Sequence, residues 1–119
     1  MKLEDMCLTL EQARKLKELG IDFSNSMLCF YEIEGVMHIG YNGIIDYDET
    51  LGHTKQPTLT ITEMLEMLPK DDSVQIYCCK TWDIVYFDYE TRKNHESMFQ
   101  LLRDSLFDMI KWLKINKII

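Results

Sequence analysis

A chain of 119 residues, 46% hydrophobic and 28% charged, has the make-up of one globular domain (1–119) able to bury a core without disulfide or metal staples. Its formal net charge of −7 argues against a general nucleic-acid binder, whose affinity rests on Lys and Arg neutralising phosphates; the basic residues are scattered, with no run longer than Arg92-Lys93. No apolar run approaches a membrane span, and Glu4 and Asp5 stand where a secretory leader needs apolar residues, so a cytoplasmic protein with no membrane partner is expected.

Thr9 and Gln12 form a capping box that opens the first helix. Leu10, Ala13, Leu16 and Leu19 recur along it, and Gly20 supplies the left-handed stop. Residues 27–33 and 36–41 read as two strands around the Glu34-Gly35 turn, which sets Ile33 opposite Val36, Tyr31 opposite His38 and Phe30 opposite Ile39. The core face then carries Leu28, Phe30, Met37, Ile39 and Tyr41; the outer face carries Cys29, Tyr31, Ile33, Val36 and His38. Asn42-Gly43 signals a further hairpin with a third strand at 44–47, a register that would turn Asp46 inward. Residues 48–58 lack periodicity and read as a loop.

Thr60 and Glu63 form a second capping box, opening a short helix with Ile61, Met64, Leu65 and Leu68 that Pro69 ends. Two strands follow at 74–79 and 84–89. A turn of two or four residues around Thr81-Trp82 puts Val74, Ile76, Cys78, Val85, Phe87 and Tyr89 on one face, and Gln75, Tyr77, Cys79, Ile84, Tyr86 and Asp88 on the other. The last helix is predicted from a Ser97/Gln100 capping box onward. Met98, Leu101, Leu102, Leu106, Met109, Ile110, Trp112 and Leu113 fill an arc of about 180°, against roughly 100° for an ordinary surface helix. Such a helix is wedged between a sheet and another helix, or meets a second molecule. The fold class is α+β, order α-ββ(β)-α-ββ-α, a mostly antiparallel sheet with helices on one face.

The sequence carries no GxSxG, no phosphate-binding glycine loop and no HExxH. His38, His53 and His95 are scattered. Cys7, Cys29, Cys78 and Cys79 lack CxxC spacing and read as small buried hydrophobes; the adjacent pair Cys78 and Cys79 would point to opposite faces of a strand. Asp46-x-Asp48-x-Thr50 begins like a calcium loop, but Leu51 and Pro57 stand where Gly and Glu are required. A looser cation site from Asp46, Asp48, Glu49 and His53 is the alternative to a solvated acidic loop. No catalytic residue, metal site or cofactor is assigned.

Tyr31, Tyr77 and Tyr86, with His38, form a predicted aromatic outer sheet face. It lacks the Lys/Arg-Gly-aromatic motif and basic rim of RNA-recognition modules, which leaves cross-strand packing or contact with a protein. Phe107 falls in the polar arc of the last helix with Gln100, Arg103, Lys111 and Lys114, either a lone exposed hydrophobe or an anchor. The candidate interaction surface is therefore Tyr31, His38, Tyr77, Tyr86 and Phe107.

The stretches LTLEQARKLKELGIDFSNSMLCFYE (8–32), PTLTITEMLEMLPK (57–70) and LLRDSLFDMIKWLKINK (101–117) together resemble small uncharacterised proteins encoded in prophages and mobile elements of intestinal bacteria. Those proteins have an opening helix ending in an "LKELG-D" phrase, a central "PTL" helix and a closing "DxLxDMIxWLxxN" helix. The resemblance covers nearly half the chain and consists of helix caps and core positions. It implies a phage-accessory context and carries over no functional residue. The expected function is a non-enzymatic protein-interaction module whose partner is another protein or itself. The alternatives are an acidic DNA-mimic counter-defence protein and an enzyme with an unrecognised site.

Overall fold

Helix α1 (Leu10–Glu18) forms where the Thr9 hydroxyl accepts from the Gln12 backbone and the Gln12 side chain accepts from the Thr9 N–H. Gly20, at φ 89°, ends it, and the Ile21 N–H returns to the Leu16 carbonyl. The computed structural model that shows this describes residues 2–42 and 54–119. The chain divides into two units, Met1–Thr60 and Ile61–Ile119.

In the first unit, β1 (Leu28–Ile33) and β2 (Val36–Tyr41) pair antiparallel in the register expected, Tyr31 opposite His38 and Phe30 opposite Ile39. Glu34 and Gly35 both have positive φ, 52° and 80°, the conformation that a two-residue hairpin turn requires. The other neighbour of β1 is β3 (Thr54–Thr58), which gives the order β2-β1-β3. The sequence pattern had marked this stretch as loop. TKQPT has no apolar alternation, and backbone pairing holds it, with the Thr58 hydroxyl donating to the Leu8 carbonyl at 3.0 Å. Cys7, Leu8, Ala13, Leu16, Phe23, Leu28, Cys29, Phe30 and Leu59 are buried here. The strand expected at 44–47, and the loose cation site of Asp46, Asp48, Glu49 and His53, lie outside the described residues.

The second unit opens with α2 (Ile61–Met67), followed by β4 (Val74–Cys78), β5 (Trp82–Phe87), β6 (Asn94–Phe99) and α3 (Leu102–Ile115). The strands form an antiparallel sheet in the order β4-β5-β6. The α+β class and the antiparallel pairing stand, with six strands among the described residues divided between two three-stranded sheets. Two details differ from the sequence expectation. The β4–β5 connection has three residues, 79–81, so Ile76 faces Ile84 and Val74 faces Tyr86. A one-residue change in loop length moves every β5 side chain to the other face: Ile84 and Tyr86 are buried, 0% and 4% exposed. Ser97 and Gln100 do not cap α3, because Ser97 lies within β6 opposite Ile84.

Helix α3 starts at Leu102 with no side-chain cap. Ser105 ties its first turn to the sheet instead, its hydroxyl donating to the Trp82 carbonyl at 2.6 Å and accepting from the Phe99 N–H at 3.1 Å. Leu106, Met109, Ile110 and Leu113 are fully buried, and α3 contacts β5, β6 and α2. The part of the predicted apolar arc at Leu106, Met109, Ile110 and Leu113 is thus covered by a sheet and a second helix, whereas Met98 and Leu101, counted in that arc from the sequence, precede α3 and are exposed.

Candidate functional site

The clearest chemical grouping in the second unit joins β6 to α3. His95 Nε2 lies 2.8 Å from Asp108 Oδ2, and the Ser97 hydroxyl donates to the same oxygen at 2.7 Å. A carboxylate only accepts, so Nε2 carries the proton. His95 also stacks on Trp112, with ring centroids 4.9 Å apart and planes 9° apart. Burial raises the Asp108 carboxyl, but the Ser97 and His95 hydrogen bonds, with the charges of His95 and Lys111, outweigh it and hold the group below its ordinary value. Ser, His and Asp are present, yet the wiring is not that of a nucleophile. Activation needs the serine proton to point at the imidazole. Here it points at the carboxylate, and Ser97 is only 1% exposed. The cluster is a strand-to-helix clamp.

The accessible features lie at the sheet edge. The backbone bonds from Cys79 N–H to Thr81 O and from Phe87 N–H to Ser73 O fix the alternation along the hairpin. Gln75 and Tyr77 bond inward to β5, and the backbone groups of Val74, Ile76 and Cys78 point outward. Among the described residues β4 pairs with β5 alone. Its sequence, VQIYC, carries no charge and no proline, the devices that natural edge strands use against pairing with other chains. Four of its five residues are exposed, Ile76 and Tyr77 at 40% and 54%. The outer strand β3 carries Lys55 and Pro57, and β6 carries His95 and Glu96; the remaining outer strand among the described residues, β2 (VMHIGY), also lacks Lys, Arg, Asp, Glu and Pro, with His38 as its one titratable basic side chain.

The sequence-derived surface residues separate. Tyr77 is exposed on the face away from Ile84 and Tyr86, in one cross-strand row with Asp83 and Met98. Tyr86 does not join it. Because the register shifts, its ring packs against Trp112 of α3, centroids 5.4 Å apart. Tyr31 and His38 stack on each other across β1 and β2 in the other unit, 5.1 Å apart and tilted 22°. Phe107 is half-buried, with Lys111 Nζ 5.4 Å from its ring centroid. Cys7 and Cys29 are buried as expected, but Cys78 and Cys79 are exposed at the end of β4, where side chains of an edge strand have no neighbour on one side. What sequence reasoning missed was the exposed edge itself; the uncharged run VQIYC was its only signal.

Among the described residues no group of three or more His, Cys, Asp or Glu side chains is placed to hold a metal ion. No described helix is long and apolar enough to cross a membrane. No protein-family model matches the chain, no curated protein matches its sequence, and no solved structure matches its fold.

Proposed function

We propose that the chain is a non-enzymatic protein-interaction module that receives an extended segment of a basic partner protein along β4. The observation that carries this is the uncharged, exposed outer strand, whose outward backbone groups at Val74, Ile76 and Cys78 are a template for strand addition. Charge complementarity supports a basic partner, since the chain has net charge −7 and Asp71 and Asp72 stand directly ahead of β4. The three segments that resemble prophage proteins support an accessory role in a phage or mobile element.

The test is selection of binders from a random peptide library, followed by an Ile76→Pro variant. The Ile76 N–H points away from β5, so proline there removes an edge donor and leaves the β4–β5 ladder in place. Selected peptides rich in β-branched, aromatic and basic residues, bound about tenfold or more weakly by the variant, are the expected result. No selected peptide, or equal binding to the folded variant, overturns the proposal.

A further inference from the structure

Strand β4 matches itself when turned end for end. Its outward backbone groups belong to Val74, Ile76 and Cys78, with Ile76 in the middle. An antiparallel second copy centred on Ile76 therefore sets Ile76 opposite its own counterpart and Val74 opposite Cys78 of that copy. Every outward N–H then meets an outward carbonyl. Centring the pair on Gln75 or Tyr77 instead leaves Cys78 or Val74 without a strand partner, and the Gln75 centre also sets Lys80 opposite Lys70 of the second copy.

The side chains follow the same symmetry, because directly opposed residues share a face of the sheet. On the face of the buried Ile84, the exposed Ile76 is covered by Ile76 of the second copy, and Val74 lies beside Cys78. On the other face Gln75 meets Tyr77. The two already bond within one chain, where the Tyr77 hydroxyl donates to Gln75 Oε1. Apolar residues thus oppose apolar ones and polar residues oppose polar ones along the whole strand.

The charges at the two ends of β4 select the orientation. Asp72 stands two residues ahead of the strand and Lys80 two residues past it; both are exposed, and neither is in an ion pair among the described residues. Antiparallel self-pairing brings the Asp72 end of each chain to the Lys80 end of the other, once on each side of the dyad, whereas parallel pairing sets like charge against like. We propose that β4 pairs with β4 of a second copy, joining two chains into a continuous sheet of order β6-β5-β4-β4-β5-β6. This rests on the same reading of β4 as an open edge and adds its regulation, since a basic segment must displace the second copy. One strand pair is a small contact, so the dimer forms at high chain concentration and the edge is open in dilute solution.

Sedimentation equilibrium of the full chain at rising concentration tests this. The mass is expected to climb from one chain toward two as the concentration approaches about 1 mM, and Ile76→Pro to hold it at one. Asp72→Lys and Lys80→Asp, both at exposed positions, each turn the two attractive pairs into repulsive ones and should weaken the dimer about fivefold or more; the double exchange should restore it to within about twofold. Net charge alone gives a different order, because Asp72→Lys brings the chain from −7 to −5 and would strengthen association. A selected basic peptide at saturation should return the mass to one chain with one peptide. A mass of one chain throughout, a dimer that survives Ile76→Pro or peptide saturation, or a double exchange no better than the single ones overturns the self-pairing and leaves the peptide selection to stand by itself. A dimer with the expected charge pattern but no selected peptide upholds the self-pairing and fails the basic partner.

Discussion

His95 lies flat on Trp112, centroids 4.9 Å apart, while its Nε2 proton is given to Asp108. The stack fixes the ring and the carboxylate fixes its tautomer, so one histidine joins β6 to two successive turns of α3. Asp108 is the hub, since the hydroxyl of Ser97, sealed from solvent, also donates to its Oδ2. An Asp108→Ala variant is expected to lose about 1–3 kcal/mol, the cost of a buried polar group left unmade. Asp108→Asn, which keeps an acceptor, loses less. Denaturant unfolding of the two variants against the parent measures it.

The same carboxylate sets a pH dependence. Its folded pKa lies below its ordinary 3.8, so its contribution is fully present above that ordinary value and is lost as pH falls through the lower folded one. Asp22, Asp71 and Asp88, held low first by turn hydrogen bonds from Ser24, Ser73 and Glu90, act in the same direction. Stability should therefore fall with acidification below about pH 4, and the fall should be shallower in Asp108→Asn. Urea midpoints at stepped pH values check both.

The register of the second sheet is tested by adjacent residues. Ile84 is fully buried and Val85 is only half-buried on the other face. Ile84→Ala should cost about 2–5 kcal/mol and Val85→Ala about 1 kcal/mol or less. The reverse order would restore the two- or four-residue turn.

Thiol chemistry gives a further check. Cys78 and Cys79 are exposed; Cys7 is buried with its Sγ 3.6 Å from the Leu3 carbonyl, and burial raises the Cys29 thiol against the opposing charge of Lys55. Titration of the native chain with a disulfide reagent should show two fast and two slow thiols, all four becoming fast in denaturant.

Phe107 serves as the control for the edge. It is half-buried and lies beneath Lys111, away from β4 in sequence and on a different element. Phe107→Glu should leave binding of β4-directed peptides within about twofold of the parent. A loss as large as that from Ile76→Pro would move the contact to α3, where the sequence pattern allowed either a lone exposed hydrophobe or an anchor.

The elements that the sequence made legible are those with local chemistry. The Thr9/Gln12 box and Gly20 bound α1, and Glu34-Gly35, both able to take positive φ, fix the first hairpin residue for residue. The second hairpin has no such marker. Residues 79–81 contain no glycine, and the count of loop residues, which decides the face of Tyr86, is not encoded in periodicity. Strand β6 was hidden because Ser97-x-x-Gln100 imitates a capping box, while the true start of α3 has no cap side chain and depends on Ser105 reaching Trp82. The β4 edge was half legible. Its strand character lies in VQIYC, but that it is an edge depends on β6 taking the far side of β5, a choice made by tertiary pairing.

Amide exchange along β4, measured with and without a selected basic peptide, tests the central claim most directly. In the free chain Gln75 and Tyr77, bonded to β5, should exchange slowly while Ile76 and Cys78 exchange fast. With peptide bound, Ile76 and Cys78 should become protected, because strand addition gives their outward N–H groups acceptors. A peptide that binds at saturation and leaves Ile76 and Cys78 exchanging as in the free chain would contradict the account.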